Sequence, residues 1–302
     1  MDTGISRIET DRLGQSRVIA RDGSARAGAA AVTKRAPFVE APDGTELFVR
    51  DWGVGKPVLF VHSWGMSSDM WQYQMVELAG RGCRCIAYDR RGHGRSSDPG
   101  RGYDYDTLAD DLACVIDELD LTELTLIGHS MSGGEIIRYV TRHGAERVAR
   151  IALLGPTLPF LTKTQDNPQG VEASYFEAVR ASWRRDITKW VAENEAPFFV
   201  PESSPGMRRW LVGLLGTCSL QAALECNRAA AETDFRAELP AIPVPTLILH
   251  GDKDASVPHA FSERTARLMP DCRLKVYEGA PHGLFITHME RVNADLAAFI
   301  EV

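Results

Sequence analysis

Short apolar runs alternate with amphipathic segments along most of the chain, and this rhythm constrains the fold more than any other feature. Four runs, "KPVLFVHSW", "CRCIAYDR", "ELTLIGHS" and "VARIALLGP", read as strands. Such continuous apolar strands are typical of a sheet covered on both faces. Helical spacing of apolar residues lies between them, as in Leu108, Leu112, Val115, Ile116 and Leu119. Strand and helix in alternation predict an α/β fold with a mostly parallel twisted sheet and helices on both faces.

The two ends and the middle of the chain depart from this rhythm. "PFVEAPDGTELFVRDWG" predicts an antiparallel hairpin that turns at Pro42-Asp43-Gly44. After Pro156 the chain reads as aromatic-bearing helices, until "VPTLILHGD" and "RLKVYEG" restore the sheet and "MERVNADLAAFI" adds a last helix. We therefore predict four parts: a flexible N-terminal extension without strand periodicity (1–35), a first core segment (36–155), an inserted helical cap (156–238) and a second core segment (239–302).

Composition excludes several classes of function. The 302 residues are 44% hydrophobic, which suffices for one large domain with an insertion. A formal net charge of −7 is not typical of proteins that bind nucleic acid or membrane surfaces. The sequence shows neither a signal peptide nor a membrane-spanning run, and its six cysteines lack C-x-x-C spacing. We therefore expect a cytoplasmic protein with reduced thiols.

The stretch "LTLIGHSMSGGE" places Ser130 just after an apolar strand and among small residues. A serine hydroxyl is a weak nucleophile that needs exposure at a strand end and a base nearby. A sharp strand-to-helix turn exposes the serine but crowds its backbone, and small neighbours relieve that crowding. The pattern G-x-S-x-G is incomplete, because Ser132 occupies its last position. Taken alone, the stretch fits a plain turn equally well.

Partners for such a serine follow in the required order, acid and then histidine. "TLILHGDKDASVP" supplies Asp252 and Asp254 just past a strand, and "VYEGAPHGLF" supplies His282 just past the last strand. No acid directly follows the strand that ends near Gly155. Spacing alone leaves the choice between Asp252 and Asp254 open.

With these motifs in place, the sequence resembles the α/β-hydrolase superfamily, and within it the cofactor-free (non-haem) haloperoxidase and arylesterase group. Matching segments run from about Val39 to Phe299 and include "HSWGMSSDMW", "AYDRRGHGRSS", "GHSMSGGEIIRYVTRHG" and "LKVYEGAPHGLFITHMERVNADLAAFI". The resemblance implies that Ser130 is the nucleophile, that His282 is the general base and acid, and that Asp254 is the acid of the triad. Asp252 is then expected to hold its loop.

The resemblance also implies an oxyanion hole made of two backbone N–H groups. Met131 follows the nucleophile at a helix N-terminus, and Trp64 is the last residue of His62-Ser63-Trp64, where the group reads H-G-W. His62 and His129 are expected to form hydrogen bonds in the core, and Asp89 to accept hydrogen bonds from turn N–H groups. We expect no metal and no cofactor.

The implied activity is hydrolysis of a carboxylic ester or lactone with a small to medium apolar or aryl group. Two alternatives stay open: perhydrolysis with the same triad, and ligand binding without catalysis. Gly65 disfavours perhydrolysis, because group members with that activity often carry proline there. Serine at position 130 disfavours haloalkane dehalogenation, because the dehalogenase relatives carry aspartate. The expected partner is a small molecule, without nucleic acid or membrane, and homo-oligomerisation is left open.

Overall fold

The computed structural model describes residues 7–10, 16–19 and 37–302. Residues 1–36 and 37–302 are separate compact units. In the first unit, β1 (Arg7–Thr10) pairs antiparallel with β2 (Ser16–Ile19). The sequence shows no strand periodicity here, since four residues are too short a run to show a reliable period. The flexible extension 1–35 stays a prediction. The remainder of the predicted flexible extension lies outside the described residues.

The second unit is built on an eight-stranded sheet with the order β10-β9-β8-β7-β5-β6-β4-β3. Neighbours from β5 to β10 run parallel, and β4 pairs antiparallel with β3 and β6. The predicted parallel sheet with an initial hairpin is therefore confirmed. The strands are β3 (Phe38–Glu40), β4 (Glu46–Gly53), β5 (Lys56–Val61), β6 (Cys83–Tyr88), β7 (Leu124–His129), β8 (Val148–Leu154), β9 (Thr246–Gly251) and β10 (Cys272–Tyr277).

Helices cover both faces of this sheet. Those that follow the core strands are α1 (Gln72–Gly80), α2 (Tyr105–Glu118), α3 (Ser132–His143), α7 (Ala260–Leu268), α8 (Leu284–Thr287) and α9 (Met289–Ile300). Buried residues of α2 and α3 join one apolar cluster, and those of α1 and α9 join the other. Residues 58–61 of β5 are all apolar because both faces of the strand are buried. Leu59 and Val61 face the first cluster, and Val58 and Phe60 face the second.

Three helices lie between β8 and β9, where the sequence predicts the cap: α4 (Ala173–Asn194), α5 (Pro205–Leu215) and α6 (Leu220–Glu232). Helix α4 is broken at Asp186, whose φ of −166° and ψ of 90° are not helical. The Asp186 carboxylate accepts the Lys189 N–H at 2.8 Å and so caps the second half of the helix. The exact cap boundaries, 156–238, stay a prediction.

Among the described helices, none combines the length and apolar character that a bilayer crossing requires.

Candidate active site

Ser130 stands at the turn between β7 and α3 in a strained backbone conformation. Its φ is +58°, in the left-handed region that costs a non-glycine residue about 1–2 kcal/mol. Backbone hydrogen bonds hold the turn, since Ser130 N–H donates to the Leu154 carbonyl at 2.9 Å and its own carbonyl accepts the Thr157 N–H at 3.2 Å. The end of β8 thus fixes the backbone of the serine.

Ser132 fits the position where the pattern G-x-S-x-G has its last glycine. Its Oγ donates to the His129 carbonyl at 2.9 Å, so the buried hydroxyl has a partner. Gly128 makes the room, because a Cβ added there would lie 2.6 Å from Ser132 Oγ and 2.7 Å from Ile136 Cδ1. A side chain at position 128 would therefore crowd Ser132 and Ile136, while the last position of the pattern accommodates serine.

His282 and Asp254 form a direct, nearly water-free pair. His282 Nδ1 lies 2.6 Å from Asp254 Oδ2, and the side chains are 6% and 0% exposed. The other oxygen, Oδ1, accepts N–H groups from Ser256 at 2.9 Å and Val257 at 2.8 Å. Burial alone would raise the pKa of Asp254, but His282 and His250 outweigh it and hold that pKa below its usual range. An ionised Asp254 places the His282 proton on Nδ1 and leaves Nε2 free to accept another.

Asp252, the other candidate for the acid of the triad, stabilises its own loop. Its Oδ1 accepts the Gly279 N–H at 2.7 Å, which ties the loop after β9 to the loop after β10. The structure thus brings His282 to Asp254, the carboxylate that the resemblance favours.

Gly155 is a site position that the sequence analysis missed. It follows β8 with a φ of +50°, and an added Cβ would lie 3.2 Å from both Asp254 Oδ2 and His282 Nδ1. A side chain there would press on the pair and would also be strained at this positive φ, so glycine is the residue that fits best. The sequence shows a glycine after a strand, which is common at turns and gives no sign of what packs against it.

Ser130 and His282 line one cavity of about 320 Å³ between the sheet and the cap. Within residues 37–302, no hydrogen bond joins the Ser130 hydroxyl to the imidazole of His282. Contacts between nucleophile and base are often longer without substrate and shorten in the reacting complex.

Two backbone N–H groups beside this cavity are candidates for an oxyanion hole. Trp64 and Met131 both line it, and over the described part of the chain neither N–H has a hydrogen-bond acceptor. Their neighbours are occupied, since Ser63 N–H donates to Met70 Sδ at 3.2 Å and Ser130 N–H donates to Leu154. Met131 directly precedes the twelve-residue helix α3, whose N-terminus favours negative charge.

Comparison with known proteins identifies the fold family. The sequence profile of the alpha/beta hydrolase fold matches residues 56–289. The chain belongs to the α/β-hydrolase family. It is 44% identical over 274 residues to a non-heme haloperoxidase of Rhodococcus erythropolis, covering 88% of this chain and 99% of that protein.

Two further relatives carry esterase names. A bifunctional esterase/perhydrolase of Acinetobacter calcoaceticus is 36% identical, with 87% of this chain and 99% of the relative covered. The solved structure of an esterase from Exiguobacterium antarcticum superposes with a TM-score of 0.86 at 33% identity, covering 89% of this chain and all of that one (100%). These comparisons confirm the resemblance to the non-haem haloperoxidase group.

In this α/β-hydrolase the cap provides an aromatic wall to the cavity. The cap residues that contribute are Tyr175, Phe176, Trp183, Trp190, Phe198 and Phe199. Trp64 joins the core to this wall, because its ring stacks on Trp183 with centroids 4.5 Å apart and its Nε1–H donates to the Ala223 carbonyl at 2.8 Å. No lysine or arginine of the described chain lines the cavity. Its wall carries one acidic residue, Glu195, and is otherwise largely apolar. It therefore favours apolar groups over anions.

Two further polar residues near the site of this α/β-hydrolase chain, His129 and Asp89, form local hydrogen bonds. His129 Nε2 lies 2.9 Å from the His282 carbonyl, and burial followed by the proximity of His282 lowers the pKa of His129 far below its usual value. Asp89 accepts the N–H groups of Ser68 at 2.7 Å and Arg95 at 2.9 Å, as predicted for a turn acid. In the part of the chain that the structure covers, no three His, Cys, Asp or Glu side chains cluster as metal ligands would.

Proposed function

We propose that the protein is a serine hydrolase that cleaves carboxylic esters or lactones through an acyl-enzyme on Ser130. The observation that carries the proposal is the 2.6 Å contact between His282 and the buried Asp254, beside a cavity that Ser130 also lines. An imidazole oriented by a carboxylate is what a serine hydroxyl requires for activation. The esterase names among the relatives support the same reaction.

The first half of the reaction acylates the serine. Ser130 Oγ attacks the carbonyl carbon while its proton passes to His282 Nε2. Asp254 holds Nδ1–H and stabilises the imidazolium that forms. The N–H groups of Trp64 and Met131 donate to the negatively charged oxygen, and each contributes about 3 kcal/mol to lowering the barrier. His282 then gives its proton to the departing alkoxide.

The second half releases the acid. Water attacks the acyl group, His282 Nε2 accepts the proton of the water, and collapse of the second tetrahedral species returns that proton to Ser130 Oγ. The aromatic wall of the cap lowers the polarity around the reacting groups, which strengthens the hydrogen bonds to the oxyanion. A cavity of about 320 Å³ without lysine or arginine at its wall favours small to medium apolar or aryl groups.

Perhydrolysis is the second candidate, because relatives bear the names haloperoxidase and perhydrolase. Hydrogen peroxide would then replace water in the second half and release a peracid. The loop beside Trp64 argues for hydrolysis. Gly65 has a φ of +68°, which proline cannot adopt because its ring fixes φ near −65°. The backbone here therefore differs from that of group members with proline at this point.

A substrate panel separates these reactions. We expect p-nitrophenyl esters of short to medium acyl chains to be hydrolysed fastest, with kcat/KM falling for long chains that exceed the cavity. Lactones belong in the same panel. Peracid formation from acetate and hydrogen peroxide should be slower than ester hydrolysis. Faster peracid formation would favour perhydrolysis, and the absence of both activities would favour the non-catalytic binding protein.

A further inference from the structure

Arg90, in the loop after β6, makes a dense set of buried hydrogen bonds close to the site. Two nitrogens of its guanidinium contact Oε2 of Glu135. Nε donates a hydrogen bond to this oxygen at 2.8 Å, and Nη2 lies 2.6 Å from it. Nη2 also donates to the His62 carbonyl at 2.9 Å. The other carboxylate oxygen of Glu135 accepts the Tyr88 hydroxyl. The side chains of Arg90 and Glu135 are both 0% exposed.

These bonds join the two chain segments that carry the candidate oxyanion donors. Glu135 lies in the first turn of α3, four residues after Met131, and His62 lies two residues before Trp64. The two segments leave neighbouring parallel strands, with Val61 of β5 paired to Gly128 of β7. Beyond these strand ends, Arg90 provides a side-chain link between the segments.

His62 extends the link to the residue next to Trp64. Its Nε2 accepts the Arg90 N–H at 2.9 Å, so its proton lies on Nδ1, which donates to the Ser63 carbonyl at 2.8 Å. Burial first, and then Arg90, lower the pKa of His62 well below its usual value, so the ring stays neutral. Arg90 therefore holds the backbone before Trp64 through both the carbonyl and the imidazole of His62.

A gain in stability does not by itself explain why the Arg90–Glu135 ion pair is buried at this position. Removing two charges from water costs several kcal/mol each, and well-packed apolar residues of similar volume often stabilise a protein as well or better. The location of the ion pair between the two segments offers a reason for it. Oxyanion donors act only when they lie about 2.7–3.1 Å from the developing charge, so their placement must be held accurately. Misplacement by about 1 Å can lower a rate about 10²-fold.

We propose that Arg90 and Glu135 are positioning residues that hold the N–H groups of Trp64 and Met131 at the spacing needed to bind one oxyanion. The inference rests on the proposed function. Neither side chain touches the substrate, so both act through the backbone segments that they connect.

The test replaces both charges, so that no unpaired charge remains buried. The double variant Arg90→Met with Glu135→Leu should fold with a lowered melting temperature, because the buried Tyr88 hydroxyl and His62 carbonyl each lose a hydrogen-bond partner. Its kcat for p-nitrophenyl acetate should fall about 10- to 100-fold. KM should change less than about threefold, because the cavity wall is untouched. Benzeneboronic acid, which forms a tetrahedral adduct with an activated serine, should bind more weakly by a factor similar to the loss in kcat.

Arg91 and Asp111 supply a matched control. They form a neighbouring buried ion pair at 2.6 Å with side chains 2% exposed, but they connect the same loop to α2 and not to the oxyanion segments. The double variant Arg91→Met with Asp111→Leu should keep kcat and boronate affinity within about threefold of the wild type.

Two results would overturn the proposal. One is a folded Arg90→Met, Glu135→Leu protein with kcat and boronate affinity within threefold of the wild type. The other is an equal loss in the Arg91, Asp111 control, which would indicate general loosening. Should the first double variant not fold, Arg90→Met with Glu135→Gln replaces it in the same comparison, because it also leaves no unpaired charge and the glutamine amide oxygen can still accept the Tyr88 hydroxyl. The proposed function fails separately, through absent hydrolysis and absent Ser130 labelling in the wild-type protein.

Discussion

Replacing Ser130 by alanine is expected to lower ester hydrolysis at least about 10³-fold while the protein folds as the wild type does. The change removes the proposed nucleophile and leaves the cavity, the proposed oxyanion donors and the His282–Asp254 pair in place. The measurement is kcat/KM on the best p-nitrophenyl ester, with circular dichroism to show the fold.

The matched control for this variant is Ser132→Ala. Ser132 belongs to the same turn and donates a buried hydrogen bond to His129, so its loss should cost about 1 kcal/mol of stability. Hydrolysis should stay within about threefold of the wild type. The nucleophile assignment would be wrong if Ser130→Ala retained activity, or if Ser132→Ala lost it to the same extent.

The backbone strain at Ser130 also allows a prediction about the stability of variants at this position. Alanine at a φ of +58° keeps the left-handed penalty, whereas glycine adopts this conformation freely. Ser130→Gly should therefore be about as inactive as Ser130→Ala but about 1 kcal/mol more stable in denaturant unfolding. Equal or lower stability of the glycine variant would show that the turn stores no strain.

Replacing Asp254 by asparagine is expected to lower kcat about 10⁴-fold with little change in the fold. Oδ1 of Asp254 accepts two backbone N–H groups, from Ser256 and Val257, so the amide oxygen must stay on that side. The amide NH₂ then faces His282 Nδ1 and forces its proton onto Nε2. In that tautomer, Nε2 cannot accept the proton of Ser130. Steady-state kinetics across pH 6 to 9, where the expected loss persists, measures the effect.

Asp252→Asn is the matched control, since it changes the other carboxylate of the same loop. Its amide oxygen can still accept the Gly279 N–H, so kcat should stay within about threefold of the wild type. A large loss of kcat in Asp252→Asn, together with full activity in Asp254→Asn, would show that Asp252 and not Asp254 is the acid that orients His282.

The sheet and most of its helices could be predicted from the sequence because their signals are local. Residues 58–61 of β5 are all apolar, since both faces of the sheet are covered, and α2 shows its buried stripe at helical spacing. The order of serine, acid and histidine can also be recognised directly in the sequence. Strands β1 and β2 are too short to show a period.

Other features depend on contacts between residues far apart in sequence and escaped prediction. Gly155 matters because Asp254 and His282 pack against it, and Arg90 matters because Glu135 and His62 meet it from two other segments. In the sequence, Asp186 looks like any acidic residue on an exposed helix. Only its φ and ψ angles reveal that α4 is broken there. Which cap aromatics line the cavity is likewise set by tertiary packing.

The most direct measurement of an activated serine is covalent labelling by a fluorophosphonate, followed by mass spectrometry of the peptides. We expect a single adduct, on Ser130, in the wild-type protein and strongly slowed labelling in Asp254→Asn. Absence of an adduct, or an adduct on another residue, would show that Ser130 is not an activated nucleophile, and only the α/β-hydrolase fold would then be established.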